Sequence, residues 1–362
     1  HYIEGADGID PSLFFDEDGT CYYIGTHPNP AGCQYDGDWY IWIQELDIEN
    51  MKLVGEVHNV WNGAMRNIIW PEGPHLYKIG EYYYIMHAEG GTGPDHAVTV
   101  CRSKNVYGPY ENNFCNPILT HRHLGRKYPI RYVGHADLVK TINDEWYMVM
   151  LAVRPLEGYT TMGRETFLAR VEWENDWPVV NPGVGRLTDT VEINLPKWTT
   201  YTAESNEYVF STMGQLPPEF MVLRNADKSH YSLEKGKGLL MLFDTHTLKE
   251  QASPSYLAFR QKHHHFIAKA LLDVSNLSED KRAGIAYVQN NLYNLRVEVN
   301  GKMAEVILCE KGTDRRVISM PLQGSNPLEV SLEVDGLSAA VIIEGQKSPE
   351  VDIRTLSTEA AG

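Results

Sequence analysis

Three segments of the chain share one order of polar and apolar positions. Each begins with a polar residue, continues as a short apolar stretch, turns at Asp, Asn or Gly, and returns as a stretch rich in aromatic residues; the segments span 10–26, 72–87 and 135–151. Glycine, asparagine and aspartate supply the backbone angles that tight hairpin turns require. Each segment is therefore predicted to form a β-hairpin.

The hairpins recur at a nearly constant interval, with 62 residues from Asp10 to Glu72 and 63 from Glu72 to His135. Further strand-like stretches lie between them, such as 39–46 and 97–103, and they bring each repeat to four predicted strands. A four-stranded unit repeated at this length is typical of the blades of a β-propeller. The pattern predicts an all-β protein whose blades place equivalent residues around one central channel.

Asp10, Glu72 and His135 each begin one of the three hairpins. Taken singly, an aspartate before Pro-Ser commonly starts a turn, a glutamate before Gly-Pro is commonly exposed, and a lone histidine is commonly a core residue. All three stand at one point of the repeat, however. We therefore expect two carboxylates and an imidazole to meet at the channel.

Charge and cysteine content narrow the functional classes. With 32 Lys and Arg against 48 Asp and Glu, the formal charge is −16, and such a chain repels the phosphates of a nucleic acid. The five cysteines are scattered and lack a Cys-x-x-Cys pair, which argues against a disulfide framework or a zinc site and favours a reducing compartment. No apolar run approaches the length of about 18 residues that a membrane-spanning helix needs. We expect a cytoplasmic protein with neither nucleic-acid nor membrane partners.

Several motifs, in this order and spacing, make the chain resemble glycoside hydrolase family 43. The motifs are GIDPSLFFD (8–16), PEGPHLY (71–77), AEGGT (88–92), GHADLV (134–139), GRET (163–166) and RVEWENDWPVV (170–180). The resemblance implies a five-bladed β-propeller, of which about three blades lie in residues 1–200. Residues 201–362 more loosely resemble the concanavalin-like β-sandwich that follows this propeller, chiefly at 231–234 and 254–261.

The resemblance also implies roles in an inverting hydrolysis. Glu72 matches the general acid that protonates the departing glycosidic oxygen, and Asp10 matches the carboxylate that orients the acid and raises its pKa. Arg164 resembles the arginine that binds the sugar. His135 is similar to a histidine on the propeller axis that holds a water or a cation, so Ca²⁺ or another divalent cation there is left open; no other cofactor is expected.

Two further residues are candidate sugar contacts. Sugars present apolar C–H faces and many hydroxyls, and their sites combine aromatic platforms with hydrogen-bonding groups. Trp70, two residues before Glu72, is a candidate platform, with packing inside a blade as the alternative. Thr92 closes the 88–92 motif and is counted among the substrate-binding residues.

One required group is missing from the pattern. Inverting hydrolysis needs a second catalytic carboxylate, about 6.5–9.5 Å from the acid, that activates water. In the family this base belongs to another Asp-Pro-Ser segment several blades upstream of the acid, whereas Asp10, one blade from Glu72, has the only Asp-Pro-Ser of this chain. We expect the base to lie outside the chain, which would then be an inactive internal piece lacking about two N-terminal blades and the extreme C-terminus.

The leading interpretation is an exo-acting β-xylosidase that releases xylose from xylo-oligosaccharides or arabinose-decorated xylan fragments. An α-L-arabinofuranosidase, or a bifunctional enzyme, is the nearest alternative because one catalytic set serves both sugars. A non-catalytic carbohydrate-binding propeller is the alternative of another class, and a homo-oligomer is left open.

Overall fold

The computed structural model describes residues 2–195 and 207–362, and strands dominate both stretches. The predicted all-β fold is confirmed, because the helical elements of these stretches are one short α-helix, α1, and four 3-10 turns. The helix α1 spans Thr358–Ala361, and the 3-10 turns span Arg122–Leu124, Phe210–Thr212, Lys228–His230 and Arg354–Leu356. None of these described helices is long and apolar enough to cross a membrane.

Two compact units divide the chain. The first consists of His1–Arg154 and Arg164–Pro196, and the second consists of Pro155–Gly163 and Lys197–Gly362. The segment Pro155–Gly163 leaves the first unit between two of its strands and belongs to the second.

The first unit contains three antiparallel sheets in which neighbouring strands follow one another in the sequence. Sheet one has the order β1-β2-β3-β4, with strands Ile9–Phe15, Cys21–Pro28, Trp39–Asp47 and Lys52–Trp61. Sheet two has the order β5-β6-β7-β8, with β9 also paired to β7; its strands are Glu72–Ile79, Tyr82–Glu89, Ala97–Ser103, Glu111–Asn112 and Leu119–Thr120. Sheet three has the order β10-β11-β12-β13, with strands Arg131–Lys140, Trp146–Val153, Glu165–Glu174 and Trp177–Val180.

These sheets are the three predicted propeller blades, and they pack face to face. Apolar residues of the first and second sheets form one buried cluster, which includes Ile24, Ile43 and Ile85. A second cluster joins the second and third sheets and includes Met86 and Met148. The second and third strands of a blade are covered on both faces, and every residue of β6 and β7 is buried or half-buried.

The second unit has two larger antiparallel sheets and two small hairpins. One large sheet has the order β18-β23-β24-β25, with β26 also on β24, and the other has the order β19-β20-β21-β22. The strands β14 to β26 are Met221–Val222, Tyr231–Glu234, Gly238–Met241, Leu257–Ala258, His265–Leu272, Ala286–Asn290, Tyr293–Val299, Met303–Glu310, Thr313–Pro321, Leu328–Asp335, Ser338–Ile343, Gln346–Lys347 and Val351–Asp352.

Alternating apolar residues on the inner faces of the two large sheets form one core. It includes Leu295, Val306, Val330 and Val341, each almost fully buried. Two sheets that enclose a single apolar layer make a β-sandwich. The fold class predicted for this part of the chain is therefore confirmed.

Candidate active site

The first strand of each blade has a β-bulge of one kind near its N-terminal end. At each bulge the register advances by three residues on this strand and by two residues on its partner. The bulges span 9–12 in β1, 72–75 in β5 and 134–137 in β10. A bulge bends a strand and changes the direction of its side chains. The three inner strands therefore change direction at equivalent places.

Alignment of the bulges corrects the phase that we inferred from sequence. Asp10, Gly73 and His135 are the equivalent positions, and their φ angles are 51°, 57° and 52°. Glu72 lies one residue before this position, so the expectation that it shares a phase with Asp10 and His135 is wrong by one residue. The repeat intervals are 62 and 63 residues with Glu72 and 63 and 62 residues with Gly73, so spacing alone did not distinguish the two positions.

Left-handed φ angles at Asp10 and His135 are strained, because a side chain at positive φ approaches its own backbone. Gly73 occupies the third equivalent position without that cost. A Cβ atom at Gly73 would lie 2.6 Å from Nε2 of His135. The glycine therefore leaves the space that the imidazole ring fills.

Glu72 is half-buried at the start of β5, and its pKa is raised to about 7. Burial is the largest cause, the negative charge of Asp10 adds to it, and the positive charge of Arg164 opposes both. Burial and a like charge both disfavour the ionised form of a carboxyl group. Glu72 therefore keeps a proton in a large part of the molecules at neutral pH.

His135 belongs to the same electrostatic cluster. Burial lowers the pKa of its imidazole, the charge of Asp10 raises it, and the charges of His75 and Arg164 lower it. The structure thus brings together four of the residues singled out from sequence: Asp10, Glu72, His135 and Arg164.

The indole of Trp70 is fixed by close packing on two glycines. Its backbone N–H donates to the carbonyl of Gly37 at 2.8 Å. A Cβ atom on Gly91 would lie 2.6 Å from Cε3 of the indole, and one on Gly37 would lie 3.0 Å from its Nε1. The ring is only half-buried, so Trp70 keeps a partly open face two residues before Glu72.

Glu89 holds the 62–70 loop that ends at Trp70. Its side chain is 1% exposed, and one carboxyl oxygen accepts a hydrogen bond from the backbone N–H of Ala64. Burial raises the pKa of Glu89 to about 7 and lowers the pKa of the neighbouring His87 to about 3. At neutral pH His87 is therefore an uncharged partner of Thr99, 2.7 Å away, and not half of a buried ion pair.

Thr92 lies at the end of the 88–92 motif. It is exposed in the turn between β6 and β7, one residue beyond Gly91, and its hydroxyl makes no hydrogen bond with any residue that the structure describes. Within residues 2–195 and 207–362, no group of three or more His, Cys, Asp or Glu side chains could hold a metal ion.

His96 is a residue that sequence reasoning missed. It lies directly before β7, is 1% exposed, and is in electrostatic contact with His135 and Arg164. A Cβ atom at Gly134 would overlap its ring. A glycine inside a strand marks the close approach of another group, so Gly134, next to His135, was the available signal.

Residues 1–178 match the model of Glycosyl hydrolases family 43, and residues 208–362 match the Beta xylosidase C-terminal Concanavalin A-like domain. The chain is 45% identical to the Xylosidase/arabinosidase of Butyrivibrio fibrisolvens, with 99% of the chain and 71% of that protein covered.

Two further similarities agree with this match. The chain is 32% identical to the Non-reducing end alpha-L-arabinofuranosidase of Bacteroides ovatus, over 89% of the chain and 69% of that protein. A crystal structure of xylan beta-1,4-xylosidase from Bacillus halodurans superposes with a TM-score of 0.87 at 29% identity, over 99% of the chain and 71% of that structure. The chain spans about two thirds of the length of the relatives that it matches.

Proposed function

Because the chain belongs to glycoside hydrolase family 43, we propose that Glu72 is the general acid of a hydrolysis that releases xylose from the ends of xylo-oligosaccharides. In this proposal Asp10 sets the proton affinity of Glu72. Arg164, His135 and Trp70 bind the sugar, and Thr92 is assigned to the edge of the same site.

The observation that supports this assignment best is the raised pKa of Glu72, about 7, with Asp10 as its second cause. A departing sugar alkoxide needs a proton from an acid that is still protonated near neutral pH. An exposed glutamate would have lost this proton. Arg164 opposes the effect, and this keeps the acid able to give its proton up.

The proposal assigns water activation to no residue of this chain. Inversion requires a base on the opposite face of the sugar ring from the acid. Asp10 acts on Glu72 electrostatically and lies one blade from it, which suits a modulator of the acid. The chain would then bind sugar without cleaving it, and the base would come from a further segment.

The substrate class rests on two supports. Trp70, two residues before Glu72, has a half-buried indole, and an aromatic platform together with charged groups is the combination that sugar sites use. The names of the relatives include both xylosidase and arabinosidase, and these names describe those proteins. An α-L-arabinofuranosidase is the second candidate, because the Bacteroides ovatus relative has that name.

Isothermal titration of the chain with D-xylose, xylobiose and L-arabinose tests the binding half. We expect binding of xylobiose without release of xylose. Failure to bind any of the three sugars would contradict the proposed function, and turnover by the chain alone would contradict the assignment of the base.

Catalysis is tested in a chimaera that adds the unmatched residues of the Butyrivibrio fibrisolvens relative. We expect it to hydrolyse xylobiose and the activated substrate 4-nitrophenyl β-D-xyloside. Glu72→Gln should lower xylobiose hydrolysis by about 10²–10⁴-fold and spare the nitrophenyl substrate, whose leaving group needs no proton. Equal losses on both substrates would show that Glu72 is not the acid; a higher rate on 4-nitrophenyl α-L-arabinofuranoside would favour the second candidate.

A further inference from the structure

An open cavity of about 590 Å³ lies in the first unit, between the loop 29–38 and the loop 62–67. The first loop connects β2 to β3, and the second follows β4. Seven of the ten residues that line the cavity have side chains that form hydrogen bonds. A volume of about 300–1,000 Å³ is usual for sites that bind small molecules. The cavity is therefore large enough for a sugar residue.

Asp38 provides a buried carboxylate in the wall of this cavity, with 4% of its surface exposed. Its Oδ2 accepts hydrogen bonds from Nδ2 of Asn29 and from the backbone N–H of Gln34, both at 2.9 Å. Its Oδ1 accepts none from any residue that the structure describes. Buried polar groups are nearly always paired with protein, water or ligand. A ligand that donates a hydrogen bond therefore suits Oδ1.

The second loop supplies side chains that are free to bind a ligand. Asn62, Arg66 and Asn67 are exposed, and their side chains form no hydrogen bond or ion pair with the described residues. The loop itself is held in place, because the hydroxyl of Tyr35 donates to the backbone carbonyl of Ile68 at 3.1 Å. The cavity thus has a fixed wall with unused donors and acceptors.

The charges in the cavity indicate the chemical class of the ligand. The carboxylate of Asp38 repels a phosphate or another anion, and the guanidinium group of Arg66 repels a cation. A sugar hydroxyl is neutral, and it both donates and accepts hydrogen bonds. It can therefore donate to Oδ1 of Asp38 while it accepts from Arg66 or from the amide of Asn62.

The two loops of the cavity meet at Trp70. Its backbone N–H donates to the carbonyl of Gly37, the residue before Asp38, at 2.8 Å. A Cβ atom on Gly37 would lie 3.0 Å from Nε1 of the indole. Glu72 is two residues further along the chain, and two residues span at most about 7 Å. Through Gly37 and Trp70, the wall of the cavity therefore adjoins the start of β5, where Glu72 lies.

We propose that this cavity binds a second sugar residue of a xylo-oligosaccharide, next to the residue that contacts Trp70. Asp38 accepts a hydrogen bond from one hydroxyl of this second sugar, and Asn62 and Arg66 donate to others. The inference rests on the proposed function, because it names where the oligosaccharide continues beyond its terminal xylose. It implies a preference for chains of two or more sugars over free xylose.

The variant Asp38→Asn changes the group at Oδ1 and keeps the contacts of Oδ2. The amide oxygen must take the place of Oδ2 to accept from Asn29 and Gln34, so the amide nitrogen takes the place of Oδ1 and donates instead of accepting. Arg66→Ala is the second variant, on the opposite loop. Arg315→Ala, at an exposed arginine of the second unit, is the matched control. Thermal unfolding of the three variants verifies that they are folded.

The probes are D-xylose and xylobiose, measured by NMR chemical-shift titration. We expect wild type to bind xylobiose about 10-fold more tightly than xylose. Asp38→Asn should weaken xylobiose binding about 10-fold, as the loss of a hydrogen bond to a charged acceptor implies, and Arg66→Ala should also weaken it. Both variants should leave xylose binding unchanged, and Arg315→Ala should change neither affinity.

A readout that needs no variant is the pair of side-chain amide signals of Asn62 and Asn67. Both should shift when xylobiose saturates the protein and stay unchanged when xylose does. If wild type binds the two sugars equally well, or if neither Asp38→Asn nor Arg66→Ala weakens xylobiose binding, the inference is overturned and the proposed function stands. Equal weakening for both sugars also overturns it, since the cavity then holds the terminal sugar; absence of any sugar binding by wild type refutes the proposed function itself.

Discussion

Replacing Glu72 by glutamine turns the pKa of this carboxyl group into a measurable stability change. In the unfolded chain the pKa is about 4.5, and in the folded protein it is about 7. The folded state therefore binds more protons between these values, and the free energy of unfolding falls as pH rises from 4.5 to 7. Above pH 7 the full destabilisation by the ionised Glu72 is present, and below pH 4.5 it is absent.

The size of the effect follows from the same two values. A pKa difference of one unit corresponds to about 1.36 kcal/mol, which gives an upper bound of about 3.4 kcal/mol for Glu72. The carboxyl group is only half-buried, so solvent screening reduces this to about 1–2 kcal/mol. Glutamine does not titrate, so the Glu72→Gln variant should gain this stability relative to wild type between pH 5 and pH 8.

Urea unfolding at pH 5 and pH 8, followed by tryptophan fluorescence, measures the change. Seven of the eight tryptophans lie in the first unit, so fluorescence reports mainly on that unit. The exposed Glu174→Gln is the control for the loss of one carboxyl group. Asp10→Asn should reduce the effect of Glu72 without abolishing it, because burial is the larger cause. If Glu72→Gln and wild type differ by the same amount at both pH values, Glu72 does not hold its proton at neutral pH and our account of the acid is refuted.

Further predictions concern the residues around the acid. Gly73→Ala should destabilise the first unit by about 3 kcal/mol and displace His135, because backbone strain at positive φ adds to the clash between the new Cβ atom and Nε2 of His135, 2.6 Å apart. Gly80→Ala is the control: with φ at 59° and open space around it, it should lower the free energy of unfolding by only about 1 kcal/mol. The free energy of unfolding of wild type should fall by about 3 kcal/mol between pH 4.5 and 7 because the buried Glu89 carboxyl must ionise, and Glu89→Gln should not show this fall. Equal costs for the two glycines, or parallel pH profiles for Glu89→Gln and wild type, would contradict these expectations.

Much of the first unit was predictable because hairpins are local structures. The three predicted hairpins form as β1–β2, β5–β6 and β10–β11, and the intervening stretches 39–46 and 97–103 are strands β3 and β7. Turn residues and apolar runs within about 20 residues determine such elements. The family resemblance is likewise confirmed, by matches in both units.

The division between the units was not predictable from local patterns. Residues 155–163 interrupt the first unit and belong to the second, where the backbone N–H and the hydroxyl of Thr160 donate to the carboxylate of Glu359 at 2.6 and 2.7 Å. These two residues are 199 positions apart. No pattern around Thr160 indicates a partner at that distance.

The sequence alone indicated three side chains of the cluster, because Asp10, Glu72 and His135 each stand at the start of a predicted hairpin at nearly the same interval. Only the tertiary structure decided how they are set there: equivalent bulges place Asp10 and His135 in phase with Gly73, and Glu72 stands one residue earlier. The structure alone also placed His96 against Gly134. The physical reason is the sequence separation of the contacts. Turns depend on neighbouring residues. Strand register, the burial that shifts a pKa, and the fit of a ring over a glycine depend on contacts between residues far apart in the sequence.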